Sequence, residues 1–255
     1  MLDTFASAEA AKALLVEIRR LTTRPIRFVI DTHYHLDHVA GNAVFAQAGA
    51  MIVAQRNVRE WIHRENLRML TDGLATEHLT MTPEQRAFIE AFQPPTVVYE
   101  DRVDLYLGSR QLQLRSLPGH TGGDSVVVLA DAHIVFTGDL FWRHTVPNTI
   151  DASTQSWIET LDALIREYPG YTFVGGHGDV GTVHDVVAFR DYLARLRQLV
   201  QGARERGLSG KALTEAVLPQ LANPYQEWDY FKEIAGDNIT QLDAELDGRK
   251  RLPKP

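Results

Sequence analysis

Thr32-His33-Tyr34-His35-Leu36-Asp37-His38 places four metal-capable side chains within six residues. The apolar run before it, Ile26-Arg27-Phe28-Val29-Ile30, reads as a buried strand, and Gly41-Asn42 with the alanine-rich stretch after it reads as the start of a helix. A strand therefore delivers a tight loop to the edge of a sheet, and a helix carries the chain away. Side chains alternate in an extended segment, so His33 and His35 point the same way, while Asp37 and His38, past the bend, face a second point nearby. Three imidazoles and a carboxylate suit zinc or iron; calcium and magnesium want oxygen ligands.

The 255 residues contain no cysteine, so disulfides and thiolate ligands are excluded and a metal must rest on histidine and carboxylate. With 44% hydrophobic residues the chain can bury one sizeable core, alone or with an appendage. A net charge of -7 disfavours non-specific nucleic-acid binding, which needs cations against phosphates. No stretch is long and apolar enough to cross a bilayer, and Met1 leads into Asp3 and an alanine-rich helix without the basic start or cleavage site of a secretory leader. These features leave the compartment open.

Around the loop, residues 7 to 22 read as a helix with Ser7 as N-cap. A short helix is expected over Asn42 to Ala48, a strand over Met51 to Ala54, an amphipathic helix over Val58 to Leu70, a loop from Thr71 to Thr80, and a helix opened by Thr82-Pro83. The period then changes to two: Val97 to Tyr99, Val103 to Leu107, Gln111 to Leu117, Val126 to Ala130 and Ile134 to Thr137 read as strands, with Gly138-Asp139 ending the last. Ser153 to Tyr168 is helical, Tyr171 to Val174 a strand running into Gly175-Gly176-His177, and the remainder almost wholly helical, broken at Asn223-Pro224-Tyr225. Strands interleaved with helices indicate an α/β class, with a metal-binding domain over 1–183 and a helical extension over 184–255 packed on it.

His120, Asp139 and His177 share one local design: each lies at or just past an expected strand end, beside glycine. Strand ends present side chains to a common cleft, and glycine lets backbone and metal come close. Asp31 and Thr121 adjoin these candidates and are placed to hold an imidazole in one tautomer. Trp142 and His144 are candidate pocket residues, Phe141 a core residue, and His63, His133 and His184 structural. The C-terminal aromatics Tyr225, Trp228, Tyr230 and Phe231 could line a lid, and the helices that carry them could form a homodimer contact.

His-x-His-x-Asp-His after a strand resembles the metal-binding signature of the metallo-β-lactamase superfamily. The resemblance implies an αββα sandwich, here without its N-terminal strands, since the chain starts at what resembles the tail of a strand bearing an aspartate near Asp3. It implies a two-metal site: His33, His35 and His120 on one ion, Asp37, His38 and His177 on the other, Asp139 bridging. It further implies two zinc ions per chain, with iron or manganese as substitutes, and a bridging hydroxide attacking a small carbonyl substrate such as a lactam, lactone, ester or thioester. Asp37 would also orient the nucleophile and handle its proton, as the catalytic residue. Members that are β-lactamases proper carry serine or cysteine where this chain has Asp139, whereas thioesterase, lactonase and phosphodiesterase branches carry aspartate. Three alternatives stand beside the hydrolase: a mononuclear iron oxygenase acting on persulfides, a phosphodiesterase, and an inactive metal-binding fragment. The partner expected is a small molecule, with no nucleic acid and no membrane segment.

Overall fold

Parallel strands cannot be joined by a tight turn, so a parallel sheet needs helices between its strands. Residues 1–253 are described by the computed structural model, in which the chain divides into two compact units, Met1–Val103 and from Asp104 onward.

The first unit has three strands, β1 (Phe28–Ile30), β2 (Met51–Gln55) and β3 (Val97–Tyr99), in the order β1-β2-β3 and parallel throughout. Leu2 adds an isolated parallel bridge to Ile30, so the first residues run beside β1 as a strand stub. Helix α1 (Ala8–Leu21) is capped by the Ser7 hydroxyl, which accepts from the Ala10 amide. It lays Ala11, Leu14, Leu15 and Ile18 against Val29, Val44, Phe45 and Ile52. After β1 come α2 (Leu36–Val39) and α3 (Asn42–Gln47); after β2 come α4 (Arg56–Trp61), α5 (Arg64–Thr76) and α6 (Pro83–Glu90). Thr82 and Gln85 close α6 with a capping box, and Pro83 sits in its first turn.

Two expectations fail here. The helix over Val58 to Leu70 is divided between α4 and α5, and α5 runs on through Gly73, where a loop was expected. Arg68 bonds the buried Glu65 and reaches Asp72, and Thr71 Oγ1 donates to the Leu67 carbonyl. Such pairs one turn apart offset glycine's cost of roughly 1 kcal/mol in a helix interior.

The second sheet runs β4 (Arg102–Leu107), β5 (Arg110–Ser116), β6 (Ser125–Leu129), β7 (Ile134–Trp142) and β8 (Thr172–His177), in that order. β5, β6 and β7 pair antiparallel, while β7 and β8 pair parallel, with α7 (Thr154–Glu167) in the crossover. The glycine of the β4–β5 turn, Gly108, takes φ +63°. β7 does not end at Asp139: it passes register shifts around Gly138 and continues to Trp142. Helices α8 (Val183–Glu205), α9 (Gly210–Tyr225) and α10 (Phe231–Leu246) complete the unit. Their inward faces, including Phe189, Leu193, Leu196, Val217, Leu221 and Ile239, share one core with Phe141, Trp157, Leu161 and Phe173. The expected break at Asn223-Pro224-Tyr225 is only the last turn of α9, which also tolerates Pro219. Burial of Leu213, Val217 and Leu221, roughly 1.5–3 kcal/mol each, offsets the hydrogen bonds the prolines cannot make.

Candidate metal centre

In the first unit the ligand loop leaves β1 and turns directly into α2. His33 and His35 have ring centroids 4.7 Å apart, and His33 and His38 4.2 Å apart. His38 Nε2 lies 3.3 Å from Asp37 Oδ2. The three imidazoles are buried, whereas the Asp37 side chain is 40% exposed. The four loop donors are therefore gathered by one turn of chain.

Asp3 ties the start of the loop to its end. Its carboxylate accepts from the Thr32 amide and the Thr32 hydroxyl, both at 2.8 Å, and its Oδ2 faces His38 Nδ1 at 2.9 Å. With Nδ1 engaged, His38 turns Nε2 outward as the donor. This is the tautomer-fixing role expected of Asp31, and the structure gives it to another residue. Asp31 instead accepts from Asn42 Nδ2 at 2.8 Å and continues the strand ladder through its amide to the Val53 carbonyl. Burial pushes the Asp31 carboxyl well above the usual carboxylate range; the Asp3 charge adds to this, and the Asn42 amide opposes it. Sequence distance hides Asp3 from a local reading, because it meets His38 only once Leu2 has bridged to Ile30.

In the second unit, Asp139 Oδ2 lies 3.3 Å from His120 Nε2 and 3.6 Å from His177 Nε2. One carboxylate oxygen thus sits between two imidazole nitrogens from different segments. His120 is fully buried, with its ring 5.2 Å from Trp157 and 6.1 Å from Trp142. Trp157 is fixed by its indole donating to the Leu140 carbonyl at 2.9 Å. Thr121 does not orient an imidazole in the expected way: its amide and hydroxyl both go to the Asp124 carboxylate, folding the 117–125 turn on itself. Burial holds the Asp124 carboxyl well above the usual carboxylate range, against those hydrogen bonds.

His177 is the last residue of β8, 30% exposed, with its ring 4.0 Å from that of Trp142. The glycines beside it serve the approach of two strands. A Cβ on Gly176 would fall 1.9 Å from Asp139 Oδ1, and one on Gly175 2.3 Å from the Phe141 carbonyl oxygen. Phe141 is core, against Phe173 and Phe189, as expected. His144 is exposed, near Trp228 at 5.9 Å. His133 stacks edge-on against Tyr171, and His63 faces the Phe92 carbonyl oxygen; neither belongs to a donor group.

All seven candidate donors belong to histidine and aspartate groups capable of holding a metal ion. Imidazole nitrogens with carboxylate oxygens and no thiolate fit zinc, iron or manganese. Among the described residues no helix is long and apolar enough to cross a membrane.

Known proteins resemble this chain at two levels. A linear primary-alkylsulfatase from Pseudomonas sp. (strain ATCC 19151) is 24% identical over 88% of this chain and 49% of its own. The acyl-coenzyme A thioesterase MBLAC2 of Bos taurus is 27% identical over 56% of this chain and 51% of its own. The chain thus spans about half the length of the curated relatives it matches. Among solved structures, the stereoselective inverting sec-alkylsulfatase Pisa1 from Pseudomonas sp. superposes on 100% of this chain and 47% of its own, with a TM-score of 0.70 at 15% identity, which establishes a shared fold. The profile of the metallo-beta-lactamase superfamily matches residues 1–177, a span that contains the seven candidate donors, and to that superfamily the chain belongs.

Proposed function

We propose that the chain is a metal-dependent hydrolase of a small carbonyl substrate: a β-lactam, lactone, ester or thioester. Its centre takes two ions: His33, His35 and His120 on one, Asp37, His38 and His177 on the other, with Asp139 between them. Zinc is the metal proposed, with iron or manganese as substitutes. The observation that carries this reading is the position of Asp139 Oδ2, 3.3 Å from one imidazole nitrogen and 3.6 Å from another. A carboxylate so placed would be within reach of ions held by both imidazoles. Bound, a metal pair supplies a water acidic enough to act as a nucleophile near neutral pH and an electrophile for the substrate oxygen.

The protein's own part is positioning and proton handling. Asp3 and Thr32 keep His38 in one orientation, and Trp142 and Trp157 wall His120 off from water. Asp37 is the most exposed of the seven donors and has a second carboxylate oxygen to accept a proton from an attacking water. We assign it that catalytic role.

A second reading, hydrolysis of alkyl sulfate esters, has one observation in its favour. The alkylsulfatase match extends over 88% of the chain and so into the C-terminal helices, whereas the thioesterase match covers 56%.

The test is metal content followed by turnover on a panel of β-lactam, lactone, p-nitrophenyl ester, acyl thioester, alkyl sulfate and phosphodiester, for wild type and His120→Ala. Wild type is expected to carry two ions and hydrolyse one of the carbonyl classes, β-lactam, lactone, ester or thioester. His120→Ala is expected to lose at least one ion and a factor of about 10³ or more in rate, the scale on which transition-state charge stabilisation is lost. Full metal and full rate in the variant would defeat the assignment. Turnover confined to alkyl sulfates would establish the second reading instead, and iron with oxygen uptake would replace hydrolysis by oxygenation.

A further inference from the structure

His177 is the most exposed of the donor histidines and closes its strand, so something must keep it in place. Three contacts converge on the residues around it. The Trp142 ring packs on its imidazole at 4.0 Å. The Arg143 amide donates to the His177 carbonyl at 3.2 Å. Gly178, at φ +80°, passes so close that a Cβ there would meet the Arg143 carbonyl oxygen at 2.4 Å. The segment 142–143 is therefore docked on 177–178 along its backbone.

That segment is in turn tied to a helix by one side chain. Arg143 Nε donates to Asp185 Oδ1 at 2.9 Å, and its Nη1 lies 3.8 Å from Asp179 Oδ2. Asp185 belongs to the first turn of α8, where its other oxygen accepts from the amide and hydroxyl of Thr182. The guanidinium thus links the strand that ends beside His177, the turn that follows His177, and the helix after that turn. An arginine can serve several acceptors at once because its donors are fixed in a plane.

We propose that Arg143 is the positioning residue for His177: held by Asp185, it fixes the backbone from which the imidazole projects and so sets affinity at the ion His177 binds. This rests on the proposed metal centre and adds to it a determinant that touches no metal. Loss of a partner one contact removed from a ligand commonly weakens metal binding by 10- to 100-fold.

The test is cobalt(II) titration of the whole chain, followed by visible absorption and by competition with a chelator. Wild type is expected to bind in two steps. His177→Ala should lose the second step, and Arg143→Ala should weaken that step by about tenfold or more while leaving the first unchanged. Asp185→Asn, whose one amide oxygen can still accept from Thr182 while its NH2 offers Arg143 neither charge nor acceptor, should weaken the same step in the same direction, and it serves if Arg143→Ala does not fold. Arg190→Ala is the control: Arg190 lies on α8, is about as exposed as Arg143, and its loss breaks ion pairs to Asp162 and Asp191 that do not reach His177. Two unchanged steps in Arg143→Ala, or in Asp185→Asn where Arg143→Ala does not fold, would overturn the positioning role and leave the metal centre standing. An equal loss in Arg190→Ala would do the same, by showing a general stability effect. A wild type that binds no cobalt would overturn the metal centre and this inference together.

Discussion

A single carboxylate, that of Asp139, is central to the proposed metal centre. Asp139 Oδ1 lies where the Cβ of any larger residue at position 176 would be, 1.9 Å away, and Oδ2 of the same carboxylate faces both His120 and His177. Gly176→Ala is therefore expected to push the carboxylate off its position at a cost of about 1–3 kcal/mol, the usual penalty for overpacking. Bound metal should fall by at least one ion, read by atomic absorption beside a urea melt. Unchanged metal and stability would mean that β7 and β8 have more freedom here than their spacing shows. At this scale the loop donors could be read from the sequence, because His33, His35, Asp37 and His38 are brought together by one turn of chain. Asp3 and Gly176 could not, because each acts on a residue that is far away along the chain.

Elements show where local rules are overridden. Helix α8 begins with a reciprocal cap between Thr182 and Asp185, and Arg143 binds the same carboxylate. Partial burial pulls the Asp185 carboxyl up, but the hydrogen bonds from Arg143 and Thr182, with the Arg143 charge, together outweigh it and bring the carboxyl down to about 2. A carboxyl lowered on folding adds stability above its unfolded value near 3.8, and that stability is lost as pH falls through about 2. Thermal melts from pH 6 to pH 2 should show wild type losing stability over the lower part of that range. Asp185→Asn should lose less there while being weaker at pH 6 by about 1 kcal/mol, a modest figure because the pair is partly solvated. Parallel pH profiles for the two proteins would contradict this. The continuation of α5 through Gly73 and of β7 through Gly138 follow the same logic: glycine marks a stop for a local reading, yet ladder and side-chain pairs carry the element past it.

Across the second unit, the C-terminal helices hold the long connection between β7 and α7. Buried Asn238 on α10 donates to the Pro147 carbonyl at 2.7 Å and accepts from Thr149 Oγ1 at 3.0 Å. Lys250 donates to the Thr149 and Ala152 carbonyls, and Asp229 forms a parallel bridge with Thr145. Burial lowers the Lys250 ammonium from its usual range, with Glu245 opposing. Asn238→Ala leaves buried polar groups unpaired and is expected to cost about 1–3 kcal/mol in urea unfolding. A loss below about 0.5 kcal/mol, the scale of ordinary surface substitutions, would show that the connection does not depend on that amide. The helical tail could be read from its 3.6-residue period, but what it grips could not, since nothing in its spacing names residues 145–152.

By itself the sequence determined the class of element in most places, the absence of thiolate ligands, and the local gathering of four donors. These follow from short-range rules: alternation, helical period, capping, and the reach of a few bonds. Only the tertiary structure decided that Asp3, and not Asp31, engages His38. It also decided that one oxygen of Asp139 lies between His120 and His177, and that Arg143 ties the chain around His177 to α8. Those are contacts between segments remote in sequence, and burial and register select them only after the sheets have formed.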